Sequence, residues 1–93
     1  MKTTITSRQR RRLQAGIRAE IRRYQQCLKR IDSVNAEVFA AGMTFFTTEA
    51  DLALWLCAPA RLLGGEVPLK VVRTGKGRQR VVMALTQIAH GVY

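Results

Sequence analysis

The chain has 93 residues, 47% of them hydrophobic, with a formal net charge of +10 and a pI near 11.1. That length fits one domain with a modest core, burying about 60–65% of the unfolded chain's surface, and the apolar share excludes wholesale disorder. No window of about eighteen apolar residues exists, so no membrane-spanning helix is expected, and the basic start lacks the apolar stretch of a secretory leader.

The charge is unevenly spread. Ten of the sixteen basic side chains, but only Glu20 and Asp32 among the six acidic ones, fall in residues 1–32. That segment therefore carries +8 against +2 for residues 33–93, and a polyanion or an acidic protein surface is its natural partner. Cys27 and Cys57 lie thirty residues apart with only His90 to join them, too few ligands for a zinc site. Two reduced, partly buried thiols in a cytoplasmic protein are expected, with no metal and no cofactor.

Along the chain, Thr6 or Ser7 is placed to cap a helix from Arg8. Leu13, Ile17, Ile21, Tyr24, Leu28 and Ile31 recur at spacings of three and four, forming one apolar stripe among arginines. This stripe suits packing on the chain's own domain or on a second copy, with Gly16 as a local weakness. The pattern continues through Val34 and Val38, so the helix either runs on or is interrupted at Asp32-Ser33. The interruption is preferred, with Ser33 capping a second helix that Gly42 stops.

Thr48 and Asp51 open a helix through Leu52, Trp55 and Leu56, which ends at Ala58 because the residue before Pro59 avoids helical torsions. Arg61-Leu62-Leu63 makes one turn before Gly64-Gly65, and Pro68 suits the first position of a short helix to Arg73. Thr74, Gly75 and Gly77 read as a turn between helices. A final helix is expected from about Lys76 to His90, with Val81, Val82, Leu85 and Ile88 on its apolar side and Gly91 as its cap. No strand is evident. The expectation is an all-α fold: a long basic N-terminal helix over residues 1–32 and a small helical domain over 33–93, four to five helices in total.

Nothing in the pattern supports catalysis, so no catalytic residue is assigned. His90 suits a helix C-terminus, Glu49 and Asp51 suit a first turn, and Gly75-Lys76-Gly77 lacks the strand and spacing of a phosphate loop. Nucleic-acid binding is a real alternative: Arg8, Arg10, Arg11, Arg12, Arg18, Arg22 and Arg23 could follow a phosphate backbone. No helix-turn-helix accompanies them, and only Tyr24 offers a ring for stacking.

The most specific signal is a ladder in residues 55–93: Trp55-Leu56, Pro59, Leu63-Gly64-Gly65, Pro68-Leu69, Thr74, Gly77, Val81, Leu85, Ile88 and Gly91-Val92-Tyr93. Each rung has a local sense. Glycine pairs permit turns, a tryptophan anchors a small core, and an apolar-aromatic ending such as Val92-Tyr93 needs either its own domain or a partner to cover it.

In order and spacing this ladder resembles the C-terminal toxin-binding domain of the Xre/MbcA/ParS antitoxins, over about Val34 to Tyr93. The resemblance implies an antitoxin, not an enzyme, whose partner is a RES-type toxin that consumes NAD and whose C-terminal end blocks the toxin's pocket. The implied toxin contacts are Ile88, His90, Gly91, Val92 and Tyr93; Arg78 and Arg80 are added as charged contacts that the family pattern does not fix.

Members of that family often carry an N-terminal helix-turn-helix, dimerise and repress their own operon. Here a single arginine-rich helix stands in that place, which argues against sequence-specific repression. It leaves open dimerisation through Leu13, Ile17, Ile21, Tyr24 and Leu28, non-specific DNA contact, and reuse of the domain outside a toxin-antitoxin pair.

Overall fold

The structure, a computed structural model, describes residues 3–91. In chain order it comprises α1 (Ser7–Arg30), a 3-10 turn (Ile31–Ser33), α2 (Ala36–Met43), α3 (Glu49–Cys57), a second 3-10 turn (Arg61–Leu63), α4 (Pro68–Val71) and α5 (Gly75–Ala89). Among the described residues there is no strand, and no single helix is long and apolar enough to cross a membrane.

Helix α1 begins with a full capping box. The Thr6 hydroxyl accepts from the Gln9 amide at 3.1 Å, and the Gln9 side chain accepts from the Thr6 amide at 2.9 Å. At its far end the helix tightens into the Ile31–Ser33 turn, so the interruption expected at Asp32-Ser33 is present. The cap of α2 is Asn35 rather than Ser33: its side chain accepts from the Val38 amide at 2.9 Å. Gly42 does not stop α2 either. It lies buried inside the last turn, where a Cβ would collide with both methyls of Leu52. Thr48 caps α3 as its spacing indicated, and α3 ends at Cys57 ahead of Pro59.

The glycine-rich stretch after α4 also departs from expectation. Thr74 is an N-cap whose hydroxyl accepts from the Gly77 amide at 2.9 Å, so Gly75, Lys76 and Gly77 form the first turn of α5. Gly77 is buried and sits hard against the Val71 carbonyl, in space that a Cβ would occupy. The glycine there allows α4 and α5 to meet backbone to backbone. Gly64 and Gly65 lie at φ 67° and 85° and reverse the chain, while the Ala60 carbonyl accepts from the amides of Leu63 and Gly65.

The core is wholly apolar. Val38 from α2, Leu52 and Leu56 from α3, Leu63 from the second turn, Leu69 and Val72 around α4, and Val81 and Leu85 from α5 are all buried, with no polar side chain among them. Helix α2 makes its broadest contact with α5, and α4 bridges α3 and α5. Cys27 is the one buried residue of α1, so most of that helix stands clear of the domain and the molecule reaches 53 Å in its longest dimension.

Two glycine substitutions should move stability in opposite directions. Gly77→Ala drives a methyl into backbone and should destabilise by about 2–3 kcal/mol in urea denaturation. A Cβ at Gly16 would meet no atom within 4 Å, and this residue lies mid-helix on an exposed face. Gly16→Ala should therefore raise far-UV helicity and stabilise α1 by about 0.5–1 kcal/mol.

Candidate functional site

The ladder is consumed by architecture. Leu56, Leu63 and Leu69 are at most 2% exposed, Pro68 is buried at the first position of α4, and Thr74 and Gly77 form the α5 start. Pro59 is exposed in the loop that follows α3. Trp55 is half-buried, its ring centroid 6.3 Å from that of Phe46, and it packs on the core as a tryptophan in so small a domain should.

A candidate surface lies at the C-terminal end of α5. Trp55, Ala60, Arg61, Leu62 and Ile88 line a mostly apolar cleft of about 210 Å³. Ile88 is 7% exposed and belongs as much to the core as to the cleft. His90 follows on the surface, its Nδ1 donating to the Thr86 carbonyl at 2.8 Å, which supplies an end of helix short of donors with one. Gly91 closes the helix end at φ 85°, in the left-handed region glycine favours there. Val92 and Tyr93 lie outside the described residues. Arg61 and Leu62 carry no signal in the sequence, because only the fold brings the second 3-10 turn beside Ile88.

The two arginines grouped with this end do not sit near it. Arg78 and Ile88 are ten residues apart on one helix, about 15 Å along its axis. Arg78 is half-buried and its Nη1 donates to the Val72 carbonyl at 3.3 Å, tying the α4–α5 corner together. Arg80 is exposed and 3.6 Å from Glu66, a surface pair of little energetic weight. Ile88, His90 and Gly91 thus form one group, and Arg78 and Arg80 another.

The basic N-terminal set divides too. Arg8, Arg10, Arg11, Arg12, Arg18 and Arg22 are exposed along α1. Arg23 is instead a clamp: Nη1 donates to the Cys57 carbonyl at 3.0 Å, Nη2 pairs with Glu20 at 2.7 Å, and the guanidinium lies 4.9 Å from the centre of the Tyr24 ring. A carbonyl left over at the end of α3 thereby finds a cation from α1.

Beside this clamp the two thiols meet. Cys27 and Cys57 are both free and buried. Burial first, and the hydrogen bond with Cys27 second, push the Cys57 thiol up to about 12, against a partial lowering by Arg23. Among the described residues no three of His, Cys, Asp and Glu gather as metal ligands.

The sequence model for the antitoxin Xre/MbcA/ParS C-terminal toxin-binding domain matches residues 40–91, more than half of the chain. The chain belongs to this antitoxin family. Neither the curated proteins nor the solved structures yield a match. The family match opens in the middle of α2 and takes in α3, α4 and α5, so the whole toxin-binding domain core apart from the start of α2 falls within it. Helix α1 lies outside. The partner implied by the family is a toxin protein.

The Cys57 environment makes a chemical prediction. The thiolate is the nucleophile, so alkylation of Cys57 by iodoacetamide at pH 8 should be much slower than in the urea-unfolded chain. The folded state holds this proton between the ordinary thiol value of 9.0 and about 12, where the unfolded state has released it. Stability should therefore be unaffected by this thiol below pH 9.0 and fall as pH rises from there toward about 12, as thermal melts across that range would report.

Proposed function

We propose that this antitoxin neutralises a RES-type, NAD-consuming toxin by steric occlusion, with the end of α5 and the following Val92-Tyr93 placed over the toxin's NAD pocket. The observation that carries the reading is the surface at that end. An exposed His90-Gly91 exit adjoins an apolar cleft built on Trp55, Leu62 and Ile88. The packed domain fixes the direction in which the end of α5 meets a partner, which lowers the ordering cost of binding. The protein acts by shape and not by chemistry: its one histidine is engaged at a helix terminus and the Cys57 thiol is held protonated. The toxin complex forms in the cytoplasm.

Co-expression tests the reading. With this protein in excess, NAD should persist in cells expressing the cognate RES toxin, and continued depletion would refute the proposal. Deleting Val92 and Tyr93 should leave the melting temperature of the antitoxin unchanged while weakening inhibition at least tenfold. Broad destabilisation would instead assign Tyr93 to the core. Arg80→Ala should change stability by less than about 0.5 kcal/mol, so any loss of toxin affinity in that variant reports a direct contact. Ile88→Ala is a poor probe, because truncating so buried a side chain should itself destabilise by about 2–4 kcal/mol.

A second reading is favoured by one observation: six arginines, Arg8, Arg10, Arg11, Arg12, Arg18 and Arg22, are exposed on a helix that projects from the domain. As a nucleic-acid-binding accessory, the chain would neutralise about six phosphates and lose affinity with a log–log salt slope near −5. A flat salt response in duplex-DNA titrations would remove this role.

A further inference from the structure

The apolar stripe of α1 is left uncovered by the chain's own fold. Leu13, Ile17, Ile21 and Leu28 are 61, 62, 48 and 73% exposed, and Tyr24 and Ile31 are 38 and 37% exposed. At its inner end the stripe runs onto α3, where Leu54 is 52% exposed and shares an apolar hollow with Tyr24, Leu28 and Ile31. We propose that this continuous surface is covered by a second copy of the chain, its α1 laid antiparallel along the first.

Area, width and charge each select this occupant. The exposed side chains offer on the order of 700 Å² per copy, close to the ~800 Å² per partner of a stable protein interface. At about 100° per residue the stripe spans an arc of only about 80°. The positions bordering it are Gln14, Gln25, Arg11 and Arg18 on one side and Glu20 and Cys27 on the other. A helix lying on an anionic membrane has a wider apolar face bordered by cations whose stems reach along it. A phosphate backbone would engage the arginine side and leave the stripe bare. A narrow apolar seam bordered by glutamines and by charges of both signs is what two packed helices require.

Charge also selects the direction. In a parallel pair, Arg10, which lies on the stripe, would face its own copy, and two domains would crowd one end. In an antiparallel pair Ile17 meets the partner's Leu28 and Ile21 meets the partner's Tyr24. Along the borders Arg11 then faces the partner's Asp32, and Leu13 faces the partner's Val34. Arg8, Arg12 and Arg22 point outward on opposite sides, about 20 Å apart, beyond the ~8 Å Debye length at physiological salt. Salt should therefore leave the pairing intact or strengthen it, whereas it weakens binding to phosphate or anionic lipid.

Sedimentation equilibrium of the full chain tests the proposal. A dimer with Kd on the order of 10 μM is expected, no weaker at about 0.5 M NaCl than at about 0.1 M. Ile17→Glu should weaken it at least thirtyfold with unchanged circular dichroism. Asp32→Arg should weaken it about fivefold, since the like-charge contact occurs twice per dimer, and adding Arg11→Glu in the same chain should restore it.

A chain that stays monomeric to about 1 mM overturns the proposal, as does a dimer that Ile17→Glu leaves intact. A dimer sensitive to Ile17→Glu but not restored by the charge exchange overturns the antiparallel arrangement. A monomer that binds phosphatidylglycerol-containing vesicles, and loses that binding in Ile17→Glu, assigns the stripe to a membrane surface instead. None of these outcomes depends on toxin inhibition.

Discussion

Everything that positions the C-terminal end of this domain passes through the corner between α4 and α5. There Gly77 lies against the Val71 carbonyl, the Thr74 hydroxyl accepts from the Gly77 amide, and Arg78 donates to the Val72 carbonyl. Three short-range constraints on adjacent residues leave α5 one direction in which to run. Along that direction Val81 and Leu85 enter the core beside α2, α4 and the second 3-10 turn, and Ile88 is buried toward the helix end. A side chain at position 77 would push the helices apart and turn the far end of α5 away from the cleft beside Trp55.

The two parts of the chain obey different physics. Residues 36–91 form a core without a buried polar group, where the hydrophobic effect dominates and packing fixes the shape. Helix α1 is held to that core near its C-terminal end, by Cys27, the Arg23 clamp and little else. Over its first four turns it is sustained by its capping box and its own propensity, with charge as its principal field. The family match covers the packed part and leaves the charged part out. Substitutions on the exposed part of α1 should therefore leave the packed part undisturbed.

Much of the fold was legible in the residues. Spacings of three and four marked α1 and α5, Thr48 marked the start of α3, Thr6 or Ser7 that of α1, and Pro59 and Pro68 marked an end and a beginning. The Trp55-to-Gly91 ladder led to the right family because its glycines and prolines occupy backbone situations few other residues tolerate. The errors came where one residue type has two uses. Gly42 and Gly77 read as breaks, yet both are sites of close approach inside helices. Ser33 and Asn35 are both good caps, and the choice between them depends on how far the preceding helix tightens. Arg23 resembled its neighbours on the charged face, but a distant carbonyl claimed it.

The helices, the asymmetry of charge and the family follow from the residues alone, since these rest on local torsional preference, periodicity and composition. Which apolar stripe is buried and which is bare depends on how the chain folds. The stripes of α1 and α5 look alike along the chain, but the neighbours that would cover them come from elsewhere in it. The core closes over Val81, Leu85 and Ile88 and stops short of Leu13, Ile17 and Ile21.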